Sequence, residues 1–181
     1  MLIKDWMSES VFTVDVNDSM QHAMKLLQKH EIRMLPVMEK GKLVGVLSDR
    51  DIKKASASSA TLLGTYDIHA IIEKIQIKEI MTRDPVTVPF DYTVEETAEL
   101  IFLHKISGVP VVNHKGELVG IITLSDLCEV IFSLTGFGKK GIQFAIQMSD
   151  QSGSIKDITD LMRNYGGRVS SILTSYERVP S

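Results

Sequence analysis

The hydrophobic and polar positions of this chain follow one pattern that occurs twice. When the sequence is shifted by 74 positions, residues 3–37 align with residues 77–111, and ten of the 35 aligned pairs are identical. One inserted residue changes the shift to 75, and the repeat then continues to residue 133. Self-similarity at a fixed period indicates a repeated structural unit. We therefore predict two copies of one fold, at residues 1–54 and 77–133.

Each copy predicts the element order β-α-β-β-α. A short β-rich segment precedes an amphipathic helix, and Thr93 with Glu96 forms a capping box at the start of that helix in the second copy. Two apolar strands joined by a glycine turn follow, and their continuous apolar runs predict burial on both faces. The predicted strands of the first copy are Val11–Val14, Leu35–Met38 and Leu43–Leu47, and the apolar stripe of its helix is Met20, Ala23, Met24 and Leu27. The predicted strands of the second copy are Val86–Val88, Val109–Val112 and Leu118–Ile122, and its helix stripe is Val94, Ala98 and Ile101.

Two connecting segments separate these copies from each other and from the end of the chain. Residues 55–76 begin with an Ala/Ser-rich stretch, Ala55–Ala60, which predicts a linker, and continue with a short helix capped at Asp67. Residues 134–141 contain three glycines and mark a second boundary. The chain is thus predicted to contain two repeats and a separate C-terminal unit.

Residues 142–181 have a different pattern, which predicts a partial β-α-β unit. Apolar residues alternate from Ile142 to Met148, as in a strand. A helix opening at Ser154 carries Ile155, Ile158 and Met162 and ends at Gly166-Gly167, where a left-handed residue is needed. Val169 to Tyr176 predicts a second strand. The predicted fold class is therefore α/β (α+β), with two β-α-β-β-α units in a pseudo-twofold pair followed by this partial unit.

Composition and charge narrow the class of protein. The 181 residues are 44% hydrophobic and 24% charged with a net charge of −3, a globular composition whose acidic balance argues against a nucleic-acid partner. No apolar run approaches the roughly 18 residues of a membrane span, and the N-terminus lacks the pattern of a signal peptide. The one cysteine, Cys128, excludes an intrachain disulfide, and its apolar helical neighbours predict a core position. We expect a cytoplasmic protein without a membrane partner.

The candidate chemistry lies where the last strand of each copy meets the following helix. Ser48 and Thr123 end these strands, and Asp51 and Asp126 follow three positions later. Free amides and a hydroxyl at a helix start suit a phosphate, and a carboxylate there can accept hydrogen bonds from a ribose diol. A plain helix cap explains the same residues, because an acidic side chain in the first turn is favoured by the helix dipole. Duplication repeats caps as well as sites, so both interpretations stay open here.

These features resemble a tandem pair of CBS domains, the regulatory module named after cystathionine β-synthase. The resemblance covers about residues 1–133 and rests on Met7-Ser8 and Met81-Thr82, on Leu-Pro-Val and Val-Pro-Val at the third element, and on Gly-x-x-Ser/Thr-x-x-Asp in both copies. It implies a disc-forming module whose clefts bind AMP, ATP or S-adenosylmethionine, with ribose at the aspartates and phosphate near the hydroxyls. The implied ligand-binding residues are Thr13, Met34, Leu35, Pro36, Gly45, Ser48, Arg50 and Asp51 in the first copy, and Thr87, Gly108, Val109, Pro110, Gly120, Thr123 and Asp126 in the second.

Residues 142–176 resemble the first β-α-β of an ACT domain, a small regulatory fold that often binds amino acids at a dimer interface. Asp150–Ser154 stands at the Asp-x-Pro-Gly turn of that family, with Ser152 in place of the proline. Two strands and a helix of the full fold are missing, so we expect a truncated unit; a complete ACT domain would take an amino acid as partner. A CBS pair followed by an ACT unit resembles bacterial acetoin-utilisation regulatory proteins.

The predicted function is a ligand-sensing regulatory module rather than an enzyme, with no catalytic residue, metal or catalytic cofactor. The consecutive apolar residues Leu100–Leu103 must expose part of their surface, which predicts a homodimer through the CBS pairs. Arg50, aligned with Ser125, predicts a preference of the first-copy cleft for more phosphorylated ligands, unless it belongs to a solvated face. Two alternatives stay open: a dimerisation scaffold with degenerate clefts, and an enzyme whose site is built only in the oligomer.

Overall fold

The computed structural model describes residues 1–62, 74–138, 140–148, 151 and 153–174, and the side chains in these ranges apart from those of residues 58–62. The chain divides into two compact units, Met1–Leu127 and Cys128–Ser181. Six residues, 128–133, separate this division from the glycine-rich stretch that the sequence suggested as the boundary, which begins at residue 134.

The first copy folds as β-α-β-β-α. Its elements are β1 (Val14–Asp15), α1 (Met20–Lys29), β2 (Met34–Glu39), β3 (Lys42–Ser48) and α2 (Asp49–Leu62). Strand β1 runs parallel to β2, and β2 pairs antiparallel with β3. The turn between β2 and β3 passes through Gly41 at φ +78°, a conformation that glycine adopts without strain. Apolar side chains of α1 and the sheet form the core, with Met20, Ala23, Leu35, Val37 and Leu47 at or near zero exposure.

The second copy repeats the same order. Its elements are α3 (Ile77–Ile80), β4 (Thr82–Arg83), β5 (Val88–Pro89), α4 (Val94–His104), β6 (Gly108–Val112), β7 (Leu118–Thr123) and α5 (Leu124–Thr135). Strands β5, β6 and β7 form a three-stranded sheet with the pairing directions of the first copy. The predicted capping box is present, since Thr93 Oγ1 accepts from Glu96 N at 3.1 Å and Glu96 Oε2 accepts from Thr93 N at 2.9 Å.

Each copy sends its leading segment across to the other copy. Strand β4 belongs to the second copy in sequence but pairs antiparallel with β3 of the first, with Val46 opposite Thr82. In the same way Ser8 pairs with Ile121 of the second copy. Two isoleucines anchor these segments: Ile3 donates its N–H to Tyr92 O at 2.9 Å, and Ile77 donates to Asp18 O at 3.0 Å. Both isoleucine side chains are fully buried, so the exchange is part of the core.

The crossing segments explain the two strand glycines. A Cβ atom on Gly45 would lie 2.8 Å from Met81 Sδ, and one on Gly120 would lie 2.6 Å from Met7 Sδ. A glycine inside a buried strand commonly marks such close approach. The approaching groups in both copies are a methionine of the other copy and the backbone carbonyl of the residue that follows it, Thr82 O at 2.8 Å and Ser8 O at 3.1 Å.

Several boundaries and placements differ from the sequence expectation. The first strands are shorter and later than predicted, because β1 begins at Val14 and β5 at Val88. The Ala/Ser-rich stretch Ala55–Ala60 is helical within α2 rather than a linker, in keeping with the helix propensity of alanine. Strands β2 and β6 are buried over four successive residues, whereas β3 and β7 alternate between buried and half-buried positions. The helix predicted from Asp67 lies outside the described residues.

Three helix positions were also predicted wrongly. Cys128 is exposed rather than in the core, and Met24 is the exposed member of the α1 stripe, whose other three residues are buried. In α4 the buried positions are Val94, Thr97 and Ile101, so Thr97 takes the core place expected for Ala98. Thr97 tolerates burial because its hydroxyl donates to Thr93 O at 2.9 Å.

The C-terminal unit contains one described helix after α5, named α6 (Ser154–Asn164). It begins after Gly153 rather than at a Ser154 cap. The left-handed residue that follows its C-terminal end is Gly166, at φ +78°, as predicted. Residues 142–148 and 167–174 are not assigned to strands, so the two strands of the expected β-α-β unit are absent from the described part of the chain. The ACT resemblance stays a prediction.

Candidate functional site

The sheet topology brings the predicted ligand residues of each copy to one end of its sheet. Thr13 directly precedes β1, Met34 begins β2 and Ser48 ends β3. Because β1 and β2 are parallel and β3 is antiparallel to them, these three positions lie at the same end. Met34 stands directly opposite Ser48 in the register.

The second copy repeats this arrangement with different residues. Thr87 precedes β5, Gly108 begins β6 and Thr123 ends β7, and Gly108 stands opposite Thr123. A Cβ atom on Gly108 would lie 2.9 Å from Ile122 O and 3.0 Å from Thr123 Cγ2. Gly108 therefore permits close packing of β6 on β7, where the first copy accommodates Met34.

At this end of the first sheet, Ser48 and Asp51 form a closed hydrogen-bonded turn. Asp51 Oδ2 accepts from Ser48 N at 2.9 Å and from Ser48 Oγ at 2.6 Å, and Asp51 N donates to Ser48 Oγ at 3.3 Å. Both residues are half-buried. The turn satisfies amides at the start of α2 and holds the carboxylate in a defined orientation.

Thr123 and Asp126 form the same turn in the second copy. Asp126 Oδ2 accepts from Thr123 N at 2.7 Å and from Thr123 Oγ1 at 2.8 Å, and Asp126 N approaches Thr123 Oγ1 at 3.4 Å. In both turns the cap uses one carboxylate oxygen, Oδ2. Among the described residues no hydrogen bond or ion pair reaches the Oδ1 oxygen of either aspartate. An ionised carboxylate has capacity for about four hydrogen bonds, so each retains acceptor sites.

The hydroxyls of Ser48 and Thr123 already donate their protons to the aspartates. A hydroxyl has one proton to donate and two lone pairs. Contact with a phosphate would require this proton to turn away from the carboxylate. In the arrangement seen here, the hydroxyls position the aspartates.

Other residues implied by the resemblance are buried in the sheets. Leu35 and Val109 have zero exposure and belong to the cores, and Pro36 and Pro110 are also buried. A buried strand residue supports the site by setting the register of its sheet. Gly45 and Gly120 are packed against the crossing methionines, as described above.

The charges around the first-copy helix start are exposed. Lys53 Nζ lies 3.2 Å from Asp49 Oδ2, an i,i+4 pair on the surface of α2. Arg50, between the two acidic residues of this turn, is exposed. The second copy has Leu124 and Ser125 in the places of Asp49 and Arg50, so the two helix starts differ in charge.

Two surface cavities lie along the crossing segments. One of about 470 Å³ is lined by residues that include Glu9, Thr13 and Glu117. The other, of about 270 Å³, is lined by residues that include Lys78 and Arg83. Of the predicted site residues only Thr13 lines either cavity, and neither cavity reaches the aspartates.

Sequence reasoning missed the residues that cross between copies. Ser8 beside β7 and Thr82 beside β3 lie next to the predicted site strands. Their pairing with the other copy is a long-range contact, so their repeat-equivalence was the only clue in the sequence.

Other kinds of site find no support in the described ranges. No group of three His, Cys, Asp or Glu side chains within them is placed to hold a metal ion. The helices that can be described include none with the length and apolarity to cross a membrane.

Comparison with known proteins shows the same duplication. The CBS domain family model matches residues 3–58 and 77–133. A CBS domain-containing protein of Dictyostelium discoideum is 32% identical over 135 residues, which are 74% of this chain and 93% of that protein. L-aspartate semialdehyde sulfurtransferase of Methanocaldococcus jannaschii is 39% identical over 127 residues, but the match spans 22% of that enzyme.

Solved structures of two similar proteins carry ligands. The CBS domain pair of protein MJ0100, in complex with 5′-methylthioadenosine and S-adenosyl-L-methionine, matches at TM-score 0.63 and 36% identity, covering 74% of this chain and 97% of that one. CBSX2 in complex with AMP matches at TM-score 0.61 and 25% identity, covering 73% and 96%.

Proposed function

Because the chain belongs to the CBS domain family, we propose that it is a regulatory module that binds an adenosine-containing ligand at its strand–helix junctions. The observation that carries the proposal is the duplicated turn, in which a hydroxyl residue orients an aspartate and one carboxylate oxygen is left without a partner among the described residues. The related CBS pairs that bind AMP or S-adenosylmethionine support the ligand class.

In this proposal each aspartate accepts hydrogen bonds from the ribose hydroxyls through Oδ1. Oδ2 stays in the helix cap, so ligand binding does not disrupt the start of α2 or α5. Ser48 and Thr123 act as positioning residues, because their hydroxyls hold the carboxylate plane in place. Bonds from neutral hydroxyls to an ionised carboxylate are stronger than those between neutral groups.

The two junctions are proposed to prefer different ligands. In the first copy Asp49 is paired with Lys53 at 3.2 Å, which offsets its charge. Arg50 contributes a cation to the first turn of α2. The second copy offers Leu124 and Ser125 instead. We therefore place more phosphorylated ligands at the first junction, and uncharged or cationic adenosine ligands such as 5′-methylthioadenosine or S-adenosylmethionine at the second.

Signalling is proposed to involve a homodimer. Helix α4 exposes Phe102 at 80% and Leu103 at 67% of their surfaces, and adjacent large apolar side chains are typical of an interface. Ligand binding would act by favouring one arrangement of the two CBS pairs. Light scattering of the parent and of Phe102→Ser tests this proposal: the parent is expected to be a dimer and the variant a monomer, and a monomeric parent at micromolar concentration would contradict it.

A regulatory role rather than catalysis, and a cytoplasmic location, are parts of the same proposal. The exposed thiol of Cys128 is compatible with a reducing compartment. The alternative of a scaffold with degenerate clefts has one observation in its favour: the two cavities along the crossing segments do not reach the aspartates.

Native mass spectrometry followed by calorimetric titration tests the proposed function. The purified chain is titrated with AMP, ATP, 5′-methylthioadenosine and S-adenosylmethionine, and with GMP as a control that keeps the ribose phosphate and changes the base. Saturable binding of at least one adenosine compound, and weaker binding of GMP, is expected. Absence of binding to all four adenosine compounds would favour the scaffold.

A further inference from the structure

Residues Ile142–Met148 form an apolar segment of the C-terminal unit that lies outside its helices. Their apolar members alternate at every second position and are largely exposed: Ile142 at 82%, Phe144 at 63%, Ile146 at 54% and Met148 at 41%. A strand places alternate side chains on one face. Extended to that geometry, the segment would carry four large apolar side chains on one side.

We infer that this segment, named here the apolar segment (Ile142–Met148), forms a β-strand and pairs antiparallel with the same segment of a second copy of the chain. This pairing does not depend on ligand binding by the CBS pair. Three features of the sequence favour it in one register: matched residue types, absence of charge within the segment, and opposite charges at its ends.

The residue types match across a twofold axis centred on Ala145. In that register Ile142 lies opposite Met148 and Phe144 opposite Ile146, while glutamine lies opposite glutamine. Apolar and aromatic side chains opposite each other are the pairs that stabilise a sheet, and an isologous dimer interface requires such self-complementarity.

Charge favours the same register. No charged residue lies between Gly141 and Ser149, and the residues just outside this span are Lys140 and Asp150. Antiparallel pairing centred on Ala145 puts Lys140 of one chain opposite Asp150 of the other, twice by symmetry. Parallel in-register pairing would put lysine opposite lysine, and like charges directly opposite are destabilising. An antiparallel register centred on Phe144 would place the apolar Met148 opposite the charged Lys140, which is unfavourable.

Cysteine cross-linking of the full chain tests this pairing. Cys128 is exposed, so all variants carry Cys128→Ser. Ala145→Cys places two thiols across the proposed axis, where Cβ atoms of directly opposite residues are about 4.5–5.5 Å apart, close to the Cβ separation of a disulfide. Under mild oxidation it is expected to give at least several-fold more covalent dimer than Lys115→Cys, a control in an exposed turn.

Position-specific variants identify the register. Gln143→Cys and Gln147→Cys alone are expected to cross-link no more than the control, whereas an equal mixture of the two is expected to form the mixed dimer. Self-cross-linking of all three positions would indicate parallel pairing and overturn the inference. Control-level cross-linking of Ala145→Cys, with an unchanged circular dichroism spectrum, would also overturn it.

Discussion

Replacing Asp126 by asparagine separates two roles of the carboxylate at the end of β7. In the cap, Oδ2 accepts from Thr123 N at 2.7 Å and from Thr123 Oγ1 at 2.8 Å. An asparagine oxygen can take this place, because a neutral amide at the third helical position can serve in a capping box as a carboxylate does. Loss of the charge near the helix start should then lower the free energy of unfolding by less than about 1 kcal/mol. The outward position then holds an NH₂ group, which donates and cannot accept from ribose.

The proposed ligand contact should therefore weaken much more than the fold. Hydrogen bonds to charged groups contribute about 1.5–3 kcal/mol each. Loss of one or two such bonds corresponds to a weakening of ligand affinity of roughly tenfold or more. Isothermal titration gives the dissociation constant, and urea unfolding of the same preparations gives the stability.

The matched variant Asp51→Asn applies the same change to the first copy, which allows the two junctions to be ranked for each ligand. A 2′,3′-dideoxyadenosine ligand lacks both ribose hydroxyls, so its affinity should not respond to either variant. If Asp126→Asn and Asp51→Asn both leave the affinity of AMP unchanged, although AMP binds the parent chain, the aspartates are caps alone. The ribose role would then be refuted.

Three further outcomes follow from the geometry. Gly120→Ala should lower the free energy of unfolding by about 1–3 kcal/mol, because its Cβ would lie 2.6 Å from a methionine sulfur of the crossing segment. Gly141→Ala is the control, because a Cβ there would have nothing within 4 Å. Urea unfolding should show little effect of this second variant. Arg50→Ser should weaken ATP binding more than adenosine binding by calorimetry; equal losses would count against its phosphate role. Two hydrogen bonds lower the pKa of Glu96: the larger effect comes from the backbone N–H of Thr93 and the smaller from its hydroxyl. The ionised side chain therefore stabilises the fold above the ordinary glutamate pKa, and this stabilisation is lost as the pH falls through the lowered pKa. Glu96→Gln should remove that part of the acid dependence of unfolding, and an unchanged pH profile would contradict the capping argument.

Local sequence features predicted those parts of the fold that depend on neighbouring residues. The capping box of Thr93 and Glu96, the glycine turn at Gly41 and the left-handed end of α6 at Gly166 are all present. Each depends on hydrogen bonds or backbone angles within one turn of the chain. The ends of helices and strands were predicted less accurately. Helix α2 continues through the Ala/Ser-rich stretch, because alanine favours a helix and no helix-breaking residue intervenes.

Local sequence features could not predict which side chains of the C-terminal unit are buried or which strands pair there. The alternation from Ile142 to Met148 indicates a strand, but alternation specifies which side chains share a face and not which strand will pair with them. Cys128 shows the same limit on a helix, since its apolar neighbours share its exposed surface instead of burying it.

By itself the sequence determined that this protein contains two equivalent β-α-β-β-α units, each with a hydroxyl residue and an aspartate at its last strand–helix junction. The order and spacing of the residues predict both properties. The three-dimensional arrangement was needed to show that Met7 and Met81 pack on the glycines of the opposite copies, because these contacts join residues far apart in the chain. It was also needed to show that the hydroxyls of Ser48 and Thr123 are bonded to the aspartates three residues later, because their spacing allows the hydroxyls more than one orientation. In the sequence pattern, Gly45 and Gly120 are small residues inside a strand. In the structure, they leave room for the methionine of the crossing segment.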